Sequence, residues 1–152
     1  MAVVSRYTVA LHILTLLAYS DAKHSKKYLT SEFIANSVNT NPVFIRRILS
    51  TLSKAGLVDV RYGTGSGWCL KNEPTEISLL HVYEAVEQKE LFDYHHSIPN
   101  SACPIGGNIT TVLKPLYHSA EQAMKADLAK STIDSLLRST MQFDLTKSGV
   151  IN

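Results

Sequence analysis

From residue 3 to residue 19 the chain is mostly apolar, and the polar residues Ser5, Thr8, His12 and Thr15 recur at steps of three, four and three. That spacing predicts a first helix buried on most of its sides. The polar segment "SDAKHSKK" follows and reads as a loop. "TSEFIANSV" predicts a short second helix, with Thr30 or Ser31 as the residue that accepts a backbone N–H at its start and Glu32 favourable in its first turn. A third helix is marked more sharply. Asn41 is a good cap, Pro42 suits a first position where its missing N–H would be unpaired anyway, and Gly56 can take the left-handed conformation that ends the helix. Between them Ile45, Ile48, Leu49 and Leu52 stand at i, i+3, i+4 and i+7 and form one apolar face. Val43, Arg47, Ser50 and Lys54 then point the other way, with Arg46 on the flank.

Two short helices joined by the turn "NSVNT" form a helix-turn-helix. Behind it "LVDVRY" and "WCLK" are strand-like, and the "GTGSG" between them makes a tight hairpin turn. Helix-turn-helix followed by hairpin is the winged-helix plan, one helix for the major groove and a wing for the flanking backbone. On that reading Gly63, Gly65 and Gly67 let the wing turn sharply and bring backbone N–H groups to phosphates. A nucleotide-binding loop does not fit, because no helix start and no Gly-Lys-Ser/Thr follow the glycines.

Residues 77–88 resume a helical period with Ser78 as a possible cap, and 89–107 lose it. A long helix is expected from near Asn108, carrying Ile109, Leu113, Leu116, Ala120, Met124 and Leu128 on one face, with Pro115 predicting a kink or a late start. A shorter helix begins near Ser131, and residues 141–152 read as a tail. The expected organisation is therefore a winged helix-turn-helix over 1–88, a loop with an effector or redox role over 89–107, dimerisation helices over 108–140 and the tail. The fold class is mainly α, of the α+β winged type. The long helix has more apolar length than so small a domain can cover, and pairing with a second copy solves this. A two-fold dimer would set two reading helices one DNA turn apart, about 34 Å, matching a palindromic operator.

Charge sharpens this picture. Net charge is +2, but residues 1–75 hold nine Lys/Arg against four Asp/Glu while residues 76–152 hold six against nine, an asymmetry suited to a polyanion at one end. The apolar run near the N-terminus is broken by its polar stripe and shorter than the ~20 residues of a membrane span, so neither a signal peptide nor a membrane partner is expected. Two cysteines, Cys69 and Cys103, make no disulfide framework and fit a reducing, cytoplasmic setting. His12, His81, His118 and the carboxylates lie on separate segments without nucleophile–base spacing, so no enzyme is expected.

The motifs "SRYTVALHILTLLA", "TSEFIA", "FIRRILSTLSKAGLV", "GTGSGWCL" with Pro74 following, "EISLLHVYEAVE" and "CPIGGNI" together resemble the Rrf-two family of bacterial winged-helix transcriptional regulators, to about Leu137. The resemblance implies a homodimeric repressor whose long helices cross at the interface. Two positions depart from the family pattern. Tyr62 occupies the place of the usual wing arginine, with Arg61 one position earlier and Ser66 in place of a glycine, so the minor-groove role passes to Arg61 or is absent. Cluster-binding members carry three cysteines before the long helix, whereas this chain has only Cys103 there. Adding His95, His96 or Asp93 still gives an odd ligand set, so neither an iron–sulfur cluster nor another cofactor is expected. Cys103 is either a redox-sensitive thiol or inert, and Cys69 beside Trp68 reads as packing.

The functional expectation is a sequence-specific regulator of double-stranded DNA, a repressor, contacting it through Asn41, Val43, Phe44, Arg46, Arg47, Ser50, Lys54, Arg61, Tyr62, Thr64 and Ser66. A winged-helix protein-interaction module and a ligand-responsive regulator without redox sensing stay as alternatives.

Overall fold

A computed structural model describes residues 2–24 and 27–149. Its helices are α1 (Ala2–His24), α2 (Ser31–Val38), α3 (Pro42–Lys54), α4 (Leu79–Val86), α5 (Ile109–Leu128) and α6 (Ile133–Lys147). The strands β1 (Val58–Arg61) and β2 (Gly67–Leu70) lie between α3 and α4, and a 3-10 turn at Pro74–Glu76 precedes α4.

Helix α1 buries Ala10, Ile13, Leu14, Leu17 and Ala18, and leaves Ser5, Thr8 and His12 exposed, as their spacing predicts. It runs past the expected end at residue 19. Ser20 is buried, and Lys23 sets positive charge against the last carbonyls, which favours another turn where a loop was predicted. Ser25 and Lys26, also in that predicted loop, lie outside the described residues.

The caps of the next two helices follow the sequence closely. Thr30 Oγ1 accepts the Phe33 N–H at 3.2 Å and Asn41 Oδ1 accepts the Val43 N–H at 2.8 Å, so orphan donors at both helix starts are satisfied. Between the helices Asn39 takes a left-handed conformation (φ 61°), and Gly56 does the same after α3 (φ 77°). Ile45, Ile48, Leu49 and Leu52 then fill the core against α1 and α2.

In the wing, Val58 pairs with Leu70, Asp59 with Cys69, Val60 with Trp68 and Arg61 with Gly67, all antiparallel. Leu29 adds a third edge, exchanging both backbone hydrogen bonds with Trp68 at 2.9 and 2.8 Å. This contact revises the reason for one glycine. A Cβ on Gly67 would stand 2.7 Å from the Leu29 carbonyl oxygen, so Gly67 serves the packing of the wing on its neighbour, while Gly63 and Gly65, both with positive φ, shape the tip.

Helix α4 opens on a reciprocal cap. Ser78 Oγ accepts the His81 N–H at 3.1 Å, and the Ser78 N–H donates to His81 Nδ1 at 3.2 Å. Helix α5 begins where the sequence predicts and continues through Pro115, so the late start is not realised. It contains no buried residue. Helix α6 returns to the domain: the Leu79 N–H donates to Ser131 O and the Ile133 N–H to Ile77 O, both at 2.9 Å, and Ile133 is fully buried in the core. It also extends to Lys147, so residues 141–147 of the predicted tail are helical; residues 150–152 lie outside the described residues. The capping box of Thr132 with Ser135 and an Asp134–Arg138 pair at 2.8 Å support this longer helix.

Replacing Gly67 by Ala is expected to lower stability by about 1–3 kcal/mol, from the strained φ and the clash with Leu29. Urea unfolding followed by circular dichroism reads the loss, and an unchanged midpoint would contradict the contact.

Candidate nucleic-acid interface

The burial of one face of α3 leaves Val43, Arg46, Arg47, Ser50 and Lys54 exposed on the other. Asn41 is exposed too, but its side chain is committed to the cap. Phe44 is half-buried and packed against the core.

The two arginines are not equivalent. Arg46 Nη1 lies 2.9 Å from Glu32 Oε1 on α2, with side chains 48% and 66% exposed. Such a pair contributes about 0–1 kcal/mol and exchanges readily for another anion. Arg47 is exposed and makes no ion pair among the described residues. It is the more available cation of the two.

On the wing, Tyr62 is 82% exposed, and Thr64 and Ser66 are exposed at the tip, where the Ser66 N–H donates to Gly63 O at 3.1 Å. The Arg61 guanidinium lies 5.5 Å from the centre of the Tyr28 ring. Tyr28 is itself held from behind: a hydrogen bond with Cys69 is the main cause that pushes its phenol up, and Arg61 partly opposes the rise. Cys69 is thus a buried packing residue of β2. Phe33, exposed on α2, was missed in the sequence. The signal was present, because the apolar stripe through Ile34, Ala35 and Val38 leaves it on the outer side.

Residues 89–107 have no regular secondary structure but are pinned. Phe92 stacks on Tyr117 of α5 at 4.4 Å, and Tyr94 lies 5.7 Å from the same ring. Around Cys103 the chain is tightly wound. The Cys103 N–H donates to Asn100 O, Gly107 N–H donates to Cys103 O, and Asn108 Nδ2 donates to Pro104 O at 2.7 Å. A Cβ at Gly106 would stand 2.6 Å from Asn100 O, which explains the glycine. The exposed Cys103 thiol is pushed below the ordinary cysteine range by backbone N–H groups of Gly106 and then Ile105, which favour the thiolate.

Of the predicted dimerisation residues, Leu116 and Ala120 are exposed, while Ile109, Leu113, Met124 and Leu128 are half-buried by their own chain. Val112 is 59% exposed and joins Leu116, Ala120 and Ala123 in an outward row along α5.

With this geometry in view, residues 3–139 match the Rrf2 family, described as iron-dependent transcriptional regulators, and the chain belongs to that family. It is 44% identical over 134 residues to YwnA of Bacillus subtilis (strain 168), named as a candidate HTH-type transcriptional regulator, covering 88% of this chain and 95% of YwnA. The crystal structure of a candidate DNA-binding protein shares 38% identity and a TM-score of 0.67, covering 87% of this chain and 98% of its own. A candidate transcriptional regulator from Lactobacillus plantarum aligns with a TM-score of 0.75 at 25% identity over 96% of this chain and 98% of its own. The winged fold is therefore that of a DNA-binding transcriptional regulator.

The family's iron finds a poor donor set here. Cys103 is alone in its loop, Cys69 is buried in the wing, and among the described residues no three His, Cys, Asp or Glu converge on one point. These residues do not fit an iron–sulfur cluster, which needs four ligands as a rule. Among the described residues no helix is long and apolar enough to cross a membrane.

The depressed Cys103 pKa is expected to appear in alkylation by iodoacetamide. Its rate should level off at a lower pH than that of an unstructured cysteine peptide, and buried Cys69 should react only after unfolding. Mass spectrometry of the labelled peptides checks both, and equal rates for the two cysteines would contradict the assignment.

Proposed function

We propose that this regulator is a cytoplasmic, non-enzymatic homodimer that represses transcription from palindromic operators, without a bound cluster, and that oxidation of Cys103 modulates it. The observation that carries the reading is the solvent-facing row of α3, with Arg47 unpaired beside a wing whose tip is exposed. Arg47 reads base edges in the major groove, where a bidentate contact to guanine gives about 1–3 kcal/mol of discrimination. Arg46 joins it by exchanging Glu32 for DNA, and Val43 and Ser50 add contacts at the groove floor and wall. Lys54, Arg61, Tyr62, Thr64 and Ser66 hold the sugar–phosphate backbone and so set register. Asn41 acts through its cap and Phe44 through packing, each positioning the helix.

The dimer forms through the outward row of α5 together with Leu113 at its edge, where Ala120 and Ala123 permit close helix approach. Residues 1–88, joined by α6, form the reading head. Cys103 attacks a peroxide as thiolate: the sulfur takes one oxygen as sulfenic acid, the O–O bond breaks, and the departing oxygen leaves as hydroxide or alkoxide that picks up a proton.

Selection of bound fragments from the organism's genomic DNA, with protein reduced and then mildly oxidised, identifies the operator and tests the thiol together. Recovery of one palindrome, lost on oxidation but retained in Cys103→Ser, is the expected result. Arg47→Ala is expected to weaken operator binding about tenfold or more with dimer mass unchanged, and Arg46→Ala less. With about six phosphates neutralised per dimer, affinity should fall some 10³-fold between about 50 and 200 mM salt; a protein-interaction module would show no such duplex binding. Leu116→Glu should sediment at the single-chain mass of 16.8 kDa and lose the operator, and a persistent dimer would refute the α5 interface.

A further inference from the structure

Arg61 stands where the wing meets the segment before α2, and one aromatic ring there decides what its guanidinium touches. The short sheet sets the geometry. On one side of β2, Arg61 pairs with Gly67 and Asp59 with Cys69; on the other side Leu29 pairs with Trp68. That antiparallel register sets Tyr28 beside Cys69, and a hydrogen bond between their side chains holds the phenol there. Gly67, the residue opposite Arg61, has no side chain, so the arginine reaches across β2 and its Cζ lies over the Tyr28 ring, 5.5 Å from the centre. A Cβ on Gly65 would stand 3.9 Å from the same atom, so the guanidinium lies against the wing tip as well.

The kind of contact matters. Arg46 gives a donor to Glu32 and must release it before another anion can take its place. Arg61 makes no ion pair among the described residues, although Asp59 shares its face of β1. A ring face attracts the cation through its quadrupole and consumes none of the guanidinium N–H donors, which stay free for the oxygens of a phosphate. It also restricts the rotamers of a long side chain before DNA arrives, so less freedom is lost on binding. We propose that Tyr28, outside both the reading helix and the wing, is the positioning residue that holds Arg61 at the wing tip with its donors free for a phosphate of the duplex. This role rests on the proposed contact of Arg61 with the sugar–phosphate backbone, and the two fail separately in the test.

A phosphate contact is indifferent to sequence, so a mixed-sequence duplex of about 30 base pairs at about 50 mM salt serves as the probe, with binding by the full chain read by fluorescence anisotropy. Arg61→Ala is expected to weaken binding and to reduce the slope of log affinity against log salt by about one. Tyr28→Leu removes the ring face but keeps an apolar side chain, and should weaken binding about twofold to fivefold; Tyr28→Phe keeps the face and should bind as the unaltered chain does. In an Arg61→Ala background Tyr28→Leu should cost nothing further, whereas a ring needed only for packing would cost the same with or without Arg61. Full affinity in Tyr28→Leu, or an equal loss in both backgrounds, would overturn the role of Tyr28 alone. Full affinity in Arg61→Ala would overturn the backbone contact and the role of Tyr28 with it. Should Tyr28→Leu fail to fold, spin relaxation of the arginine Nε–H groups in the unaltered chain decides: Arg61 is expected to be more ordered than unpaired Arg47, and equal mobility removes the contact.

Discussion

Ile45, Ile48, Leu49 and Leu52 expose no more than 2% of their surface, and everything α3 can present to a partner follows from that burial. Each such side chain contributes about 1.5–3 kcal/mol by leaving water, an upper estimate because the unfolded chain is itself partly compact. The exposed Arg46–Glu32 pair contributes about 0–1 kcal/mol by comparison. Packing therefore sets the rotation of the helix, and the cations take the opposite face by geometry. Losing the pair would alter which anion Arg46 meets and leave the helix where it is.

The wing depends on the same core through backbone contact. Leu29 pairs with Trp68 only because Gly67 has no Cβ to keep the two strands apart. That pairing ties the segment before α2 to the hairpin after α3, so the two ends of the helix-turn-helix are clamped by one short sheet. Tyr28, next to Leu29, then lies against both Arg61 and Cys69. A glycine that looks like wing flexibility is in fact a condition of the wing's attachment.

The second half of the molecule inverts this economy. Helix α5 buries none of its residues, yet α6 at its far end returns Ile133 to the centre of the core. The chain thus holds a long helix by its two ends and one flank, through Tyr117 against Phe92 and through Glu121 and Lys125 beside α4, and leaves an apolar row outward. Cys103 lies in the turn that leads into α5, and Glu87 lies beside the flank of that helix. Both owe their chemistry to surroundings drawn from different elements: turn N–H groups for the thiol, and three helices for the carboxylate.

Local signals in the sequence were enough for the winged plan. Caps at Thr30, Asn41 and Ser78, the left-handed stop at Gly56 and the period of Ile45 to Leu52 are each set within a few residues, so the chain order alone determined them. What it did not determine depends on partners far along the chain. The extension of α1 rests on the burial of Ser20, the helical state of residues 141–147 on the anchoring of α6, and the inward turn of Phe44 on the core it meets. Which of two adjacent arginines is paired required Glu32 to be brought beside one of them by the packing of α2 on α3. Glu87 Oε1, buried with no hydrogen-bond partner among the described residues, could be seen as an orphan only in three dimensions, since satisfaction of a polar atom is a property of everything around it.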